Sequence, residues 1–440
     1  MILFLVIQLL HLLILSPMEF VAYPEFFVYP YLTSSGWLPY RQIIDQHFPG
    51  LFFMPVNFFT LGFINPRSLK ILSLLLVIFQ SALIYRIAKS ISSRVYPLIA
   101  MVTFALWQPF FSGNHLWLES LISPLALTSF YLWRNATPFW SGAALGAAIL
   151  FKQSVAFPIF ILILITYFRR GFKSALTFAA GAVLPLTLAV CYFGYRGVLS
   201  DFFFWTVKFN FLYAVRAATV PNWTVLFKLL LPALLFILAL FKSQPKRVVL
   251  VLAVWGLILI PGGLSRFDFT RLQAIVPFLS LSLGLLITSL WSAKKYFLFS
   301  VILVAQLAWF SIFYIRQENW GQYRFFDQSA SALVQTVTSL TSPGDEIFLL
   351  GVQPHLYMLS GTYPPGSHFS YQLPWYLPFT QNRILYSLAS DPPQYIFYDA
   401  AASVDGKPIS EYAAPLIQYV KHYYSPISAI GSVTVYESRY

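Results

Sequence analysis

The sequence predicts a mainly α-helical, polytopic membrane bundle of about eleven helices, completed by a small extracytoplasmic α/β domain at its C-terminal end. Three observations carry that prediction. Charged residues make up only 10% of the 440 and Phe alone numbers 44, whereas a soluble globular chain carries about 25% charge. Apolar runs close to the length of a membrane span recur through the first three quarters. From about residue 316 the composition turns to Ser, Pro, Gly and acids, and the apolar segments shorten to strand length. A net charge of +13 would suit nucleic acid, but the cations lie scattered between apolar runs. A lipid bilayer is therefore the expected partner, and nucleic acid is not.

The run 1–17 lacks both a basic n-region and a small-x-small cleavage site, so it reads as the first membrane helix rather than a removable leader. Further helices are predicted near 68–86, 95–112, 118–133, 139–151, 153–168, 174–193, 222–241, 247–261, 272–291 and 296–315. With the N-terminus inside, the inner connections hold Arg86, Lys89, Arg94, Arg134, Arg169, Arg170, Lys173, Lys242, Lys246, Arg247, Lys294 and Lys295, and no acid. All 15 Asp and Glu residues fall on the other side. Cytoplasmic loops favour Lys and Arg, which places the tail outside. The single cysteine, Cys191, permits no disulfide within the chain and no Cys-based metal site, and it reads as a small buried residue of a helix.

In the tail, EIFLL (346–350), YIFYD (395–399) and VTVYE (433–437) read as strands. The stretches 329–340 and 411–424 carry helical apolar spacing. Strands alternating with helices predict the α/β domain. The Pro-rich stretch 361–394 reads as a long loop. The domain division is thus 1–315 for the membrane part, including a long outer loop at 18–67, and 316–440 for the outer domain.

Several polar residues on the outer side need an explanation. The loop 18–67 is far longer than a connector requires, and it gathers Glu19, Glu25, Arg41, Asp45 and His47 among many aromatic residues. An interfacial aromatic belt with solvated charges would account for part of this. Lys152 stands alone among about thirty mostly apolar residues, which is costly unless it meets water or an anion; otherwise it marks a short turn. Arg266 and Arg271 either pair with Asp268 at the membrane edge or face a substrate. The connection 194–221, with Asp201, Lys208 and Arg216, is expected along the interface. No phosphate loop, metalloprotease motif or nucleophile elbow occurs.

The arrangement resembles the GT-C superfamily of polyprenyl-phosphate-sugar-dependent membrane glycosyltransferases, in particular the branch related to protein mannosyltransferases. GWLPYRQIIDQHFPG (36–50) is similar to that family's first-loop motif, with Gln42 where Asp is frequent. WLESLISPLALTSFYLW (117–133) looks like its glutamate-started helix. GAALGAAILFKQSVAFP (142–158) looks like its Gly-x-x-x-Gly run ending in Lys-Gln. SRFDFTRLQAIVPFLSLSLG (265–284) is similar to its Arg-containing helix entry, and GDEIFLLGVQPHLYMLSGTYPP (344–365) to the opening of its outer domain. The family's Asp-Glu pair is missing: Ala22 and Tyr23 stand in that neighbourhood, flanked by Glu19 and Glu25.

The resemblance implies sugar transfer from a polyprenyl-phosphate donor to a glycan, lipid or protein acceptor, at the outer face of a prokaryotic plasma membrane. Such chemistry needs a carboxylate to take the acceptor proton and cations to hold the departing phosphate. An inverting displacement needs no second, nucleophilic carboxylate. Glu19 or Glu25 is then the base, and Asp45 orients His47 or shares a divalent metal, whose requirement the sequence leaves open. Arg41, His47, Lys152, Arg266 and Arg271 are the phosphate-binding candidates. A transporter or flippase of lipid-linked substrates is the rival reading, but no half of the sequence repeats the other. A non-catalytic membrane protein with an outer interaction domain would leave the long first loop without a purpose.

Overall fold

A computed structural model of the protein describes residues 2–50, 57–92, 95–216, 223–260 and 268–439. The chain forms two compact units. The first comprises Met1–Val21, Leu69–Val190 and Ala218–Gln322; the second comprises Ala22–Ser68, Cys191–Ala217 and Tyr323–Tyr440.

The apolar runs of the first three quarters become helices at Ile2–Leu15, Pro66–Ile91, Tyr96–Phe110, Leu118–Arg134, Pro138–Ile149, Ala156–Arg170, Phe172–Tyr195, Trp223–Lys242, Lys246–Leu257, Val276–Ser292 and Tyr296–Ile315. Among the described residues, six helical segments are long and apolar enough to cross a membrane. The helix Val276–Ser292 is the pivot of the first unit and packs against Tyr96–Phe110, Trp223–Lys242, Lys246–Leu257 and Tyr296–Ile315. Thirteen of its residues are buried, whereas Tyr296–Ile315 buries only Ile302 and Gln306. Apolar chains gain little by leaving lipid for one another, so close backbone approach and interhelical hydrogen bonds must hold such a bundle. Both are present. A Cβ on Gly142 or Gly146 would lie 2.0 Å from the Phe178 carbonyl oxygen or 2.2 Å from that of Ala182, so only glycine lets these two helices touch. Trp107 Nε1 donates to Gln306 Oε1 at 2.9 Å, and Ser123 Oγ donates to Gln80 Oε1 at 2.7 Å. Cys191, expected to be buried, is exposed.

In the second unit the tail builds a four-stranded sheet in the order Ile347–Leu350, Tyr395–Asp399, Val433–Ser438, Tyr424–Ile430. The first pair is parallel and the other two pairs are antiparallel. Ile347–Leu350 is buried at all four positions, as a strand covered on both faces must be. The helices Leu377–Ser390 and Ala414–Tyr423 bury Ile384, Leu388, Leu416 and Val420 in this unit's core.

Two expectations are corrected here. The stretch 361–394 is not one long loop, because it contains the 14-residue helix Leu377–Ser390. Its prolines bracket the helix rather than forbid it: Pro378 sits in the first turn, where no intrahelical N–H is needed, and Pro392 and Pro393 follow its end. The stretch 411–424 gives a helix that stops at Tyr423 and then a strand, Tyr424–Ile430. That strand contains a proline and alternates poorly, so periodicity did not reveal it. The first outer loop also holds a helix, Glu25–Ser34, entered through Pro24.

Candidate functional site

Two polar clusters form, one in each unit. In the second unit, the parallel pairing of Ile43–Ile44 with Phe369–Ser370 sets the residues that follow, Asp45 and Tyr371, at adjacent strand ends. Tyr29 lies one helical turn after Glu25, so both project from the same face of Glu25–Ser34. The Tyr29 hydroxyl donates to Asp45 Oδ2 at 2.7 Å, and its ring packs edge-on against Phe369 and Tyr371. Asp45 Oδ1 accepts from the His47 backbone N–H at 2.5 Å and lies 2.9 Å from His47 Nδ1. Asp45 is 3% exposed. Tyr376 adds its hydroxyl to the Gln46 N–H at 3.1 Å.

Glu25 belongs to this cluster, and its Oε2 is buried with no hydrogen-bond partner among the described residues. Loss of water opposes ionisation, the more so beside the Asp45 carboxylate. Burial pushes the Glu25 carboxyl up to about 7, with Asp45 adding to the rise while its own backbone N–H, His47 and Tyr371 work against it. A carboxyl poised near neutrality can exchange a proton at physiological pH.

Arg41, expected on a phosphate, is engaged elsewhere in the same unit. Its Nε donates to Asp201 Oδ2 at 2.9 Å and its Nη2 to the Gly197 carbonyl at 2.6 Å. Its side chain is 44% exposed, so this pair is a weak, screened one.

In the first unit, Lys152 does meet an anion. Its Nζ donates to Glu119 Oε1, and both groups are largely buried. Glu119 lies in the first turn of Leu118–Arg134, where the positive end of the helix favours an acid. Lys152 precedes the short 3-10 turn Gln153–Val155. Arg271 lines the same small cleft together with Ser154, Pro158 and Leu259. Two cations thus face one carboxylate there, leaving net positive charge, and Glu119 Oε2 stays buried without a hydrogen-bond partner among the described residues. The Asp268 carboxylate accepts the Thr270 N–H at 3.0 Å and caps the turn Phe269–Ile275; its expected pairing with Arg266 lies outside the described residues. Gln273 and Ser120 tie that turn to the segment at 112–115: Ser120 Oγ donates to Gln273 Oε1 at 2.7 Å and to the His115 carbonyl at 3.0 Å.

Glu19 lies in the first unit, partly exposed, and its backbone carbonyl accepts from Asn114 Nδ2 at 2.5 Å. Arg266 lies outside the described residues. The sequence-derived candidates therefore divide into Glu25, Arg41, Asp45 and His47 in one unit, and Glu19, Lys152 and Arg271 in the other.

Sequence reasoning assigned no role to Glu119, Tyr29, Tyr371 or Tyr376. Glu119 had a readable signal, an acid at the start of an apolar helix. The tyrosines had none, because Tyr371 and Tyr376 are more than 300 residues from the loop they serve.

A metal site is not formed by these residues. Among the described residues no three His, Cys, Asp or Glu side chains are grouped to hold an ion, and both Asp45 oxygens are already committed to Tyr29 and His47.

No family model and no curated protein sequence matches the chain. Its fold is similar to that of ArnT from Cupriavidus metallidurans, solved bound to undecaprenyl phosphate, with a TM-score of 0.61 at 12% identity over 99% of this chain and 97% of that one. It is also similar to the oligosaccharyltransferase AglB from Archaeoglobus fulgidus, solved with an inhibitory peptide and a dolichol-phosphate, with a TM-score of 0.52 at 12% identity over 99% of this chain and 74% of that one. At such identity the likeness is one of fold. The mainly helical architecture with a small strand-bearing C-terminal part, expected from the sequence, is the one observed, and the six long apolar helical segments among the described residues fit an integral membrane protein.

Proposed function

We propose that the protein is a membrane glycosyltransferase that moves a sugar from a polyprenyl-phosphate-linked donor to an acceptor hydroxyl at the outer face of a prokaryotic plasma membrane, with inversion. The observation that carries this reading is a buried carboxyl, Glu25, raised to a near-neutral pKa beside Asp45 and His47, in a chain whose fold matches ArnT over almost its whole length. ArnT was solved with a polyprenyl phosphate bound, which supports a donor of that class here.

In the reaction, the acceptor oxygen attacks the anomeric carbon and the bond from that carbon to the phosphate oxygen breaks. The electron pair leaves with the phosphate, and the acceptor proton passes to Glu25. Of the two acids the sequence left open, Glu25 fits the base better, since its environment favours taking up a proton near pH 7. Asp45, fixed by Tyr29, holds His47 in one orientation. The negative charge that grows on the departing phosphate also needs cations, for which the sequence candidates are Arg41, His47, Lys152, Arg266 and Arg271. All acids and the tail lie outside on this reading, as the charge distribution suggests.

The test is transfer or hydrolysis of polyprenyl-phosphate sugars by the purified protein in detergent or nanodiscs, with Glu25→Gln, Asp45→Asn and Glu19→Gln in parallel. Loss in Glu25→Gln with retention in Glu19→Gln supports the assignment. Absence of any sugar release by the unaltered protein with every donor, or full activity of all three variants, overturns it.

A further inference from the structure

Tyr371 directly follows the short tail strand Phe369–Ser370, and its hydroxyl is buried close to Glu25. Two groups there lack what burial requires. Glu25 Oε2 and the Tyr371 hydroxyl are both buried and make no close hydrogen bond to another described group, and the two side chains lie near enough to share one with each other. Buried polar atoms are nearly always paired, and an exception calls for an explanation. Here the explanation is complementary. A protonated carboxyl has less need of a donor, whereas the same carboxyl once ionised needs one badly, and a phenol is the donor at hand.

We infer that Tyr371 is a positioning residue for the base: its O–H donates to Glu25 Oε2 when that carboxyl is ionised, so that the C-terminal domain completes the reactive site. The phenol is held for this by its neighbours. Parallel pairing of Ile43–Ile44 with Phe369–Ser370 sets its height, and the rings of Tyr29 and Phe369 pack against it at 6.1 and 5.4 Å between centroids. The other titratable groups facing Glu25 are Asp45 and His47 from the loop. Tyr29, on Glu25's own helix, is committed to Asp45, and Tyr376 to the Gln46 N–H. Tyr371 is thus the phenol left to serve Glu25. The bond it makes lowers the cost of ionising a carboxyl that burial has raised. Without it, Glu25 holds its proton to higher pH.

The inference rests on Glu25 as the base, and its test includes a readout that does not. The infrared carbonyl band of the protonated Glu25 carboxyl, identified by its loss in Glu25→Gln, is titrated in the detergent-solubilised full-length protein and in Tyr371→Phe. The expected result is a titration midpoint near pH 7 that moves upward by about one unit in Tyr371→Phe, roughly tenfold in proton affinity. In a transfer assay, kcat/KM of Tyr371→Phe falls several-fold at neutral pH and recovers at higher pH. An unmoved infrared midpoint overturns the inference even where the enzyme assay supports the function. A shifted midpoint in a protein that transfers no sugar overturns the functional reading while leaving the pairing intact. Tyr376→Phe, expected to leave the midpoint unchanged, controls for loosening of the tail.

Discussion

The two polar clusters use the same residue type in opposite ways. At Glu119 a buried carboxylate is matched by Lys152, and Arg271 lines the same cleft. At Glu25 no ion pair of that kind forms among the described residues: burial, with Asp45 adding to it, lifts the carboxyl to about 7 while His47 opposes the rise. The difference shows how composition alone misleads. A lone acid in an oily protein becomes a fixed counter-ion or a proton acceptor according to whether the fold brings a cation to it.

The largest effect is expected at Glu25. Glu25→Gln should cut sugar transfer by about 100-fold or more, the usual contribution of a general base. In the unaltered protein, transfer should rise with pH through about 7, as the carboxyl ionises. The sign for stability is the reverse. The folded carboxyl titrates higher than the unfolded one, so the contribution of Glu25 to stability falls as pH rises from about 4.5 to about 7. The difference in melting temperature between the unaltered protein and Glu25→Gln should therefore change with pH across that window. A pH-independent difference would move the proton to another group.

The next effect tests the contrast from the other side. Lys152→Met should strand the Glu119 carboxylate and destabilise the membrane unit by about 3–5 kcal/mol, whereas the double change with Glu119→Gln should recover much of that loss. Thermal unfolding in detergent measures both. Equal damage by the single and double variants would mean that the pair is not the source of the loss.

Gly146→Leu should lower the melting temperature through a clash with Ala182 and leave the pH midpoint of any residual transfer unchanged. A shift in that midpoint would show that the helix contact reaches the base. The smallest effect belongs to Arg41. Because its partner Asp201 is also well exposed, Arg41→Ala should cost at most about 1 kcal/mol, and a change in transfer beyond a few-fold would restore it as a substrate contact.

The opposing behaviour of the tail histidines sharpens the pH picture. Burial pushes His355 down to about 4 and His368 down to about 3. Both are harder to protonate folded than unfolded, so their contribution to stability falls as pH drops below about 6.5. Between about pH 4.5 and 6.5 these histidines therefore oppose Glu25, whose contribution falls as pH rises.

Much of the fold was legible because its signals are local. A run such as 296–315 is helical whatever it packs against, since lipid leaves no other way to satisfy its backbone. The end of 395–399 and the start of 118–133 were equally readable. Prolines misled in 361–394, where position within the helix mattered more than number. Of the site, the contact of Asp45 with His47 is local, because the two lie only two positions apart. Arg41 was legible as a cation but not as the partner of Asp201, 160 positions away.

The amino-acid order by itself determined the solvent, the helices, the split into an oily part and a strand-bearing tail, and the list of scarce charges. These follow from transfer energies and backbone periodicity, which act over a few residues. Only the tertiary structure decided which of those charges are neutralised: that Lys152 belongs to Glu119, that Arg41 belongs to Asp201, and that Glu25 is left with a phenol from the far end of the chain. Proton affinity depends on burial and on neighbours within a few ångströms, and those neighbours come from segments that meet only when the chain has folded.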